Sequence, residues 1–505
     1  MAFSDEGPTT PLEMGVMEQN AIALGISLDA LMENAGRAVA EEAARRLPPA
    51  PARVAVLVGS GNNGGDGTCA AYYLGQWGYS PELFLIRPPG EIRSPVARRC
   101  YERAAHRFPV HVGVPRPVDL GEFAMVIDAM LGTGQTGGLR SPYREAVDAA
   151  RRGGAPVLSV DEPTGLGTAE VLRPKWTVAL TSAKVGMSAE TCGEIVVREI
   201  GIPPEARDRT GPGEFLYYPL PPPAGERPRP GRVVVIGGGP FAGAPALAGL
   251  AALRAGAERA TVFVPLPASE RVQSFSPNLV VHSVGEDHFR PSDVPTLERA
   301  LDDQHVDAVV VGMGIGRAEP TLAAFRELLP RLVNRYPVVV DADALDALPA
   351  SLPETRPHPK VVATPNLVEY VRVFGGETIG AVSDQLEGTR HRAAARHLAL
   401  LVKGPADLLT DGRRSAVNLN HPASLAVSGS GDVLAGVVGY LLARSVGPLA
   451  AARLASYWVG EAGHRAAIRA GPGLLATDLL EELAPALVTG LDRVGRDVEA
   501  GRGTS

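Results

Sequence analysis

Short apolar runs alternate with longer stretches of mixed polarity through both halves of the chain. In the first half, runs at 53–58, 81–86, 125–127, 156–160 and 177–181 predict strands, and the first of these is apolar on both faces. Helical spacing predicts helices over 22–47 and from about Thr68. Strands that alternate with helices predict a doubly wound parallel sheet with right-handed crossovers.

The second half repeats this alternation. The predicted strands are 232–236, 260–264, 306–311, 336–340, 361–364 and 398–402, with an alanine-rich helix over 242–256. A segment rich in proline and glycine, 212–231, lies between the halves and reads as a stiff, extended linker. We therefore predict an α/β protein with a first domain at 1–220, a linker at 221–230 and a second domain at 231–495.

Polar groups of the first half fall at the ends of predicted strands. Asp128, Asp161 and Lys184 do so, as do two glycine-rich turns, GSGNNGGDG at 59–67 and AMLGTGQTGG at 129–138. Ligands of doubly wound sheets bind beyond the carboxyl ends of the strands, and backbone N–H groups of a glycine-rich turn before a helix bind phosphate. Each charged residue alone would suit a helix cap or the surface, but several at one edge favour a site.

In the second half the motif SGSGD, 428–432, precedes an apolar helical stretch. Small residues let a ligand approach, and the N-terminus of a helix favours an anion. Asp432 is either the helix cap or a base that takes a proton from a hydroxyl attacking a phosphoryl group. Lys403 follows a predicted strand and is either a phosphate-site residue or a solvated lysine.

Composition narrows the class of protein. The length of 505 residues predicts two or three domains, and the net charge of −7 with scattered basic residues argues against a nucleic-acid or anionic-membrane surface. No stretch has the length of a membrane span or the pattern of a signal peptide. Cys69, Cys100 and Cys192 lack metal-ligand spacing and read as reduced thiols. We predict a soluble, cytoplasmic protein.

The first half resembles the epimerase domain of NAD(P)H-hydrate repair proteins over about residues 12–218. The resemblance is carried by LMENAG (31–36), GNNGGDG (61–67), DAMLGTGQTGG (128–138) and SVDEPTGL (159–166). It implies a Rossmann-like sheet and interconversion of the R and S epimers of NAD(P)H hydrated at nicotinamide C6. Asp161 would contact the hydrated ring as acid or base, and we take Lys184 as a second catalytic candidate. The implied hydrate-binding residues are Asn62, Asn63, Gly64, Gly65, Asp66, Gly132, Thr133, Gly134, Gln135, Thr136, Gly137, Gly138 and Asp161. The implied potassium ligands are Asn63, Asp128 and Thr164.

The second half resembles the ribokinase-like ADP/ATP-dependent NAD(P)H-hydrate dehydratases over roughly 230–492. VVVIGGG (233–239), GAPALAGLAALRAGA (243–257), VVGMGIG (310–316), DADAL (341–345), ATPN (363–366), KG (403–404) and GSGDVLAG (429–436) carry the resemblance. It implies phosphorylation of the S hydrate on its C6 hydroxyl by ADP or ATP with Mg²⁺, followed by loss of phosphate. Asp432 would be the catalytic base, with the Gly429–Gly431 N–H groups as an anion hole. The implied hydrate site is Ala244, Gly314, Asn366 and Asp432, and the implied nucleotide site is Lys403, Gly404, Pro405, Ala406, Asp407 and Gly431.

The chain departs from these patterns at a few positions. Glu162 and Thr164 stand where the epimerase motif usually has Ile or Val and Ser, and Asn366 stands where the dehydratases usually have His. The segment 422–428 replaces the motif N-P-G-M-A-T-G. We predict a bifunctional repair enzyme that acts on small molecules and assembles as a homo-oligomer. The alternatives are a ribokinase-like small-molecule kinase with a fused ligand-binding domain, and a non-catalytic dinucleotide sensor.

Overall fold

The computed structural model describes residues 7–132, 137–221, 231–352, 360–376 and 379–496. The chain divides into two compact units, Met1–Pro204 and Glu205–Ser505. This division falls before the boundary near residue 220 that composition predicts, and the predicted linker lies outside the described residues from 222 onward. Among the described residues, no helix combines the length and the apolar character needed to cross a bilayer.

The first unit is built on seven parallel strands in the order β3-β2-β1-β4-β5-β6-β7. The strands are β1 (Arg53–Val58), β2 (Ser80–Leu85), β3 (Val110–Val112), β4 (Met125–Ala129), β5 (Val157–Val160), β6 (Trp176–Leu180) and β7 (Glu194–Arg198). The helices are α1 (Pro11–Ala23), α2 (Leu28–Ala44), α3 (Asn62–Gln76), α4 (Pro95–Ala105), α5 (Pro117–Leu120), α6 (Tyr143–Gly153) and α7 (Ala189–Cys192). The predicted doubly wound sheet is confirmed, while the partly exposed edge strands β3 and β7 were not predicted.

The glycine-rich stretch after β1 is mostly helix, not turn. The sequence predicts a helix from about Thr68, but α3 begins at Asn62. A Cβ on Gly64 would lie 2.1 Å from the carbonyl oxygen of Gly59, so glycine lets the first turn of α3 pack against the end of β1. The predicted helix 22–47 is also interrupted, because α1 ends at Ala23 and Ser27 caps α2.

The second unit contains a nine-stranded sheet in the order β10-β9-β8-β11-β12-β13-β14-β15-β16. The strands are β8 (Arg232–Ile236), β9 (Arg259–Val264), β10 (Leu279–Ser283), β11 (Ala308–Val311), β12 (Val338–Val340), β13 (Val361–Ala363), β14 (Ala399–Val402), β15 (Asp407–Thr410) and β16 (Ser415–Asn418). The helices are α8 (Pro204–Asp208), α9 (Gly243–Ala255), α10 (Leu266–Ser274), α11 (Val294–Asp302), α12 (Glu319–Arg335), α13 (Leu367–Phe374), α14 (Val382–Arg396), α15 (Ser430–Ala443), α16 (Pro448–Ala470) and α17 (Ala476–Arg493). Pro204 is the last residue of the first unit, so α8 begins at the division.

The sheet of the second unit is parallel from β10 to β14 and antiparallel at β15 and β16. The antiparallel edge and β10 were not predicted. Helix α15 packs on α9, where a Cβ on Gly436 would lie 2.1 Å from the carbonyl oxygen of Ala248. Because α15 is buried along Val433–Ala443, its N-terminus is held firmly at the edge of the sheet.

Two candidate active sites

In the first unit, the carboxyl ends of β1, β4, β5 and β6 meet at one edge, because these strands are parallel neighbours. Asp128 is the penultimate residue of β4, and Asp161 directly follows β5. Lys184 lies shortly after the end of β6. The predicted clustering of these three groups at one edge is what the topology produces.

Asp128 is fully buried and fixed by four hydrogen bonds. Its Oδ2 accepts from Ser159 Oγ at 2.8 Å and from the Thr164 N–H at 3.0 Å. Its Oδ1 accepts from Thr164 Oγ1 at 2.7 Å and from the Met130 N–H at 3.3 Å. Burial raises the pKa of Asp128, and these hydrogen bonds oppose the rise. Thr164 stands where the family usually has serine, and its hydroxyl group, which serine would also provide, donates directly to Asp128.

Asn63, the third predicted potassium ligand, presents an unsatisfied amide near the same loop. Its buried Oδ1 and Nδ2 have no hydrogen-bond partner among the residues that the structure describes, which exclude 133–136. Gly132 packs on this side chain, since a Cβ there would lie 3.3 Å from Asn63 Cβ. The adjacent Leu131 N–H donates to Thr164 Oγ1 at 3.1 Å. The 130–132 loop thus links Asn63 with the Asp128–Thr164 pair, and the orphaned amide oxygen fits a hard cation or a polar ligand group.

Asp161 and Lys184 form an ion pair at the same edge. Lys184 Nζ contacts Asp161 Oδ1 and also donates to the carbonyl oxygens of Leu180 at 2.7 Å and Ser182 at 3.0 Å. The Leu180 N–H donates to the same Asp161 Oδ1 at 3.1 Å. Asp161 has a φ of +63°, in the left-handed region that costs a non-glycine residue free energy. Strain at such a position is typical of functional sites.

Burial and the negative charge of Asp161 raise the pKa of three further carboxyl groups. Burial, followed by the negative charge of Asp161, raises the pKa of Glu18 to about 7 and the pKa of Glu162 to about 7. The same causes raise the pKa of Asp66 well above its ordinary value. Lys184 opposes each rise without cancelling it. Glu18, on α1, was missed because helical periodicity does not reveal which sheet edge a helix crosses.

The other residues predicted for this site serve packing, are exposed or lie outside the described residues. Gly64 and Gly65 are buried and serve packing, since a Cβ on Gly65 would lie 2.6 Å from Met32 Sδ. Asn62 is the exposed first residue of α3. Gly137 and Gly138 are exposed, whereas Thr133, Gly134, Gln135 and Thr136 lie outside the described residues.

In the second unit, Asp341 organises the edge formed by β12, β13 and β14. Asp341 Oδ1 accepts from Lys403 Nζ at 2.7 Å and from Thr364 Oγ1 at 2.8 Å. Burial alone would lower the pKa of Lys403, but the charge and hydrogen bond of Asp341 raise it. A Cβ on Gly431 would lie 2.9 Å from Lys403 Nζ, so the ammonium group abuts the first turn of α15. Asp341 is predicted from the sequence to end a strand, but its bonds to Lys403 and Thr364 depend on the tertiary fold.

Asp432 occupies the first turn of α15 without capping it. The N-cap is Gly429, with a φ of +95° and no side-chain capping hydrogen bond. Burial, followed by the charge of Asp341, raises the pKa of Asp432 to about 7, with Lys403 opposing. The structure therefore excludes the alternative in which Asp432 is the helix cap. The proposed anion hole is partly occupied, because the Ser430 N–H donates to the carbonyl oxygen of Val427 at 3.3 Å.

Asn366 is the N-cap of α13, and its side chain is engaged in that cap. Its side-chain oxygen accepts from the Glu369 N–H at 2.9 Å, and Glu369 Oε2 accepts from the Asn366 N–H at 2.8 Å. The backbone of Asn366 forms an isolated bridge with Lys403, whose N–H donates to the carbonyl oxygen of Pro365 at 2.8 Å. The residue thus lies beside the Lys403 cluster, with its side-chain oxygen engaged in the cap.

Asp407 supports the KGPAD turn from inside. Its Oδ1 accepts from the Gly404 N–H at 3.1 Å and its Oδ2 from Ser456 Oγ at 2.6 Å. Asp407 is buried as the first residue of β15, so its visible role is to shape the turn over Lys403, Gly404, Pro405 and Ala406.

The remaining hydrate-site candidates lie around the start of α9. A Cβ on Gly314 would lie 2.3 Å from the carbonyl oxygen of Phe241, which brings the two glycine-rich loops together. Ala244 follows at the start of α9. A Cβ on Gly429 would lie 2.7 Å from Leu247 Cδ1, one turn further along α9. The N-termini of α9 and α15, which carry Ala244 and Asp432, are therefore adjacent.

Comparison with known proteins matches each half of the chain to a family. A family model described as NAD(P)H-hydrate dehydratase matches residues 233–485, and one described as YjeF-related protein N-terminus matches residues 28–186. A bifunctional NAD(P)H-hydrate repair enzyme of Hyperthermus butylicus is 36% identical over 96% of this chain and 93% of its own. One of Pyrobaculum aerophilum is 37% identical over 94% of this chain and 97% of its own. The chain belongs to the family of bifunctional NAD(P)H-hydrate repair enzymes.

Two solved structures are similar to part of this repair-family chain. One is described as an ADP/ATP-dependent NAD(P)H-hydrate dehydratase from Bacillus subtilis co-crystallised with ATP/Mg²⁺, with 21% identity, a TM-score of 0.46, and coverage of 55% of this chain and 97% of that chain. The other is described as a ribokinase-like superfamily protein from Enterococcus faecalis, with 18% identity, a TM-score of 0.49, and coverage of 56% and 96%. The family match confirms the enzyme class predicted from the sequence, and the two largely parallel sheets with their helices confirm the α/β fold.

Proposed function

We propose that the second unit dehydrates the S epimer of NAD(P)H hydrate with ADP or ATP as phosphoryl donor. The supporting observation is Asp432, a half-buried carboxyl group whose pKa is raised to about 7, in the first turn of α15 beside the Lys403–Asp341 pair. A base with a pKa near the operating pH is suited to take a proton from a hydroxyl group.

In the proposed reaction the terminal phosphoryl group moves from the nucleotide to the oxygen of the C6 hydroxyl. Asp432 accepts the proton of the C6 hydroxyl group of the hydrate. The oxygen of that hydroxyl group bonds to the terminal phosphorus of the nucleotide, and the bond from this phosphorus to the rest of the nucleotide breaks. The C6–O bond then breaks with loss of phosphate, and a proton leaves the neighbouring ring carbon to restore the dihydronicotinamide. We assign Lys403, whose Nζ abuts the first turn of α15, to the phosphate oxygens. Magnesium carried by the nucleotide neutralises phosphate charge in such transfers.

For the first unit we propose epimerisation of the same hydrate with Asp161 as acid or base. Both donors to Asp161, Lys184 Nζ and the Leu180 N–H, contact Oδ1. No donor to Oδ2 is found in the described part of the chain, so this oxygen is the one we assign to the substrate. Lys184 holds the carboxylate by charge, and its own position is fixed by two carbonyl oxygens.

We further propose that Asn63, Asp128 and Thr164 hold potassium. Their oxygens are hard ligands, and neither polar atom of the buried Asn63 amide has a hydrogen-bond partner within the described part of the chain. The cation would supply positive charge at an edge where Lys184 faces several carboxyl groups. The predicted homo-oligomer and cytoplasmic location stay predictions.

A single assay tests the two activities separately. Purified protein with ADP and Mg²⁺ is expected to convert both epimers of hydrated NADH to NADH, with release of inorganic phosphate. Asp432→Ala should stop dehydration and leave epimerisation intact, while Asp161→Asn should stop epimerisation and leave dehydration of the S epimer intact. Unchanged dehydration in Asp432→Ala would remove this residue from the mechanism.

The two alternatives give distinct results in the same assay. A small-molecule kinase would accumulate a phosphorylated product without free phosphate. A sensor would bind the hydrate without turnover, and the use of Asn366 as a helix cap is the observation that favours it. Comparison of ADP with ATP in the same assay identifies the donor.

A further inference from the structure

Two cysteines face each other behind the first candidate site. Cys69 lies in α3 and Cys100 in α4, and both are buried free thiols. Their sulfur atoms and a carboxylate oxygen of Glu33, from α2, all lie within 4.8 Å of one another. Cys192, the third cysteine, is not part of this cluster. Cys69 and Cys100 are therefore a pair of neighbouring thiols (a dithiol) on two adjacent helices, and such a pair can form an intramolecular disulfide.

An arginine lies beside the dithiol, between it and Glu33. Arg103 Nη2 lies 3.5 Å from Cys69 Sγ and 2.6 Å from Glu33 Oε1, and its guanidinium sits over the ring of Tyr72. A neighbouring guanidinium stabilises a thiolate and increases thiol reactivity. The same cation, bonded to two of the three possible ligands, opposes a metal ion at this position.

The two thiols do not share the charge equally. The interaction between the two thiols lowers the pKa of Cys100, with Arg103 assisting and with burial, Glu33 and Asp29 opposing. The pKa of Cys69 is raised by the same interaction and by burial. Cys100, which is also the slightly more exposed of the two, is therefore the first to react with an oxidant.

The cluster adjoins the epimerase site. Asp66 precedes Cys69 by three residues on α3 and so lies on the same face of that helix. The negative charge of Cys100 contributes to the raised pKa of Asp66. Oxidation of the dithiol would therefore alter the charge near Asp66 and the helix that carries the segment 62–66, which contains predicted hydrate-binding residues.

We propose that Cys69 and Cys100 are a redox-active dithiol that a peroxide converts into a disulfide joining α3 to α4. The Cys100 thiolate attacks one peroxide oxygen, the O–O bond breaks, and a sulfenic acid and water form. The Cys69 sulfur then attacks the Cys100 sulfur, and the sulfenic oxygen leaves as water. In sum, two thiols lose two electrons and two protons, and one hydrogen peroxide becomes two water molecules.

Intact-mass and peptide mapping of the full-length protein test this directly. After reduction, removal of reductant and brief treatment with hydrogen peroxide, we expect a mass loss of about two hydrogens and a peptide linking Cys69 to Cys100. The number of reactive thiols in unfolded protein should fall from three to one, that one being Cys192. Cys192→Ser is the matched control and should form the same link.

Variants separate the steps. Cys69→Ser should leave a sulfenic acid on Cys100 that a diketone reagent traps. Arg103→Met should slow disulfide formation, because the guanidinium that favours the Cys100 thiolate is lost. A link that includes Cys192, a link between molecules, or three unmodified thiols in the wild-type protein would overturn the proposal. These readouts need no enzyme activity, so they stand apart from the proposed function.

The effect on epimerisation is a second readout that does rest on the proposed function. Because the sulfurs must approach to bond, Cys69 and α3 shift, and we expect epimerisation to fall several-fold in the disulfide form and to recover with dithiothreitol. Dehydration by the other unit is the internal control. An equal rate of epimerisation in fully oxidised and reduced protein would refute the coupling to Asp66.

Discussion

The charge balance around Asp432 predicts how dehydration depends on pH. Asp432 must be ionised to accept a proton, and its pKa is raised from 3.8 to about 7. One pH unit below that value, about one molecule in ten carries the active carboxylate, so kcat/KM should fall about tenfold per unit below about pH 7. An unperturbed aspartate would give a flat profile down to about pH 5.

Two substitutions should move this profile in opposite directions. Lys403→Gln removes the cation that lowers the pKa of Asp432, so the acidic limb should move to higher pH. Asp341→Asn removes the neighbouring charge that raises this pKa and frees the Lys403 ammonium from its partner, so the limb should move to lower pH. Both variants will also lose activity, but the direction of each shift does not depend on that loss.

The assay is formation of NADH from the S hydrate, with hydrate and nucleotide both limiting, since kcat/KM reports the free enzyme. Lys360→Gln is the control, because Lys360 is exposed at the amino end of β13, away from the carboxyl edge. A wild-type profile flat between about pH 5 and pH 8, or shifts of the same sign in the two variants, would refute the reasoning.

The remaining predictions concern packing and the cation. Thr164→Val deletes the hydroxyl that donates to buried Asp128 at 2.7 Å, and should lower the free energy of unfolding by about 1.5–3 kcal/mol in urea titrations, with Thr164→Ser near wild type. A wild-type midpoint for the valine variant would contradict this. Gly436→Ala places a methyl group 2.1 Å from the carbonyl oxygen of Ala248 and should cost about 1–3 kcal/mol, whereas Gly447→Ala meets open space and should cost little. Equal thermal midpoints for the two alanine variants would count against the α9–α15 packing. Replacing potassium by choline should slow epimerisation, and an unchanged rate would oppose the potassium site.

Periodicity and strand-end residues were enough to predict much of this protein. Most strands of both sheets follow from short runs rich in valine and leucine, because a strand buried on both faces needs continuous apolar residues. The edge strands β3 and β7 escaped prediction because their partly exposed residues give no such run. The glycines after β1 were read as a turn, although Gly64 and Gly65 lie inside α3 and are needed for packing.

The sequence by itself also indicated which residues end the strands, and so placed Asp128, Asp161 and Lys403 at the edges where ligands bind. It did not reveal that Glu18 joins the first site or that Asp341 holds Lys403 against α15. These contacts join residues far apart in the chain, and spacing along one element carries no information about distance between elements. For Asp432 the motif alone left a cap and a base equally open, and the rest of the sequence favoured the base. The tertiary structure excludes the cap, because Gly429 is the N-cap, and it adds the burial beside a second carboxylate that raises the pKa of Asp432 to about 7.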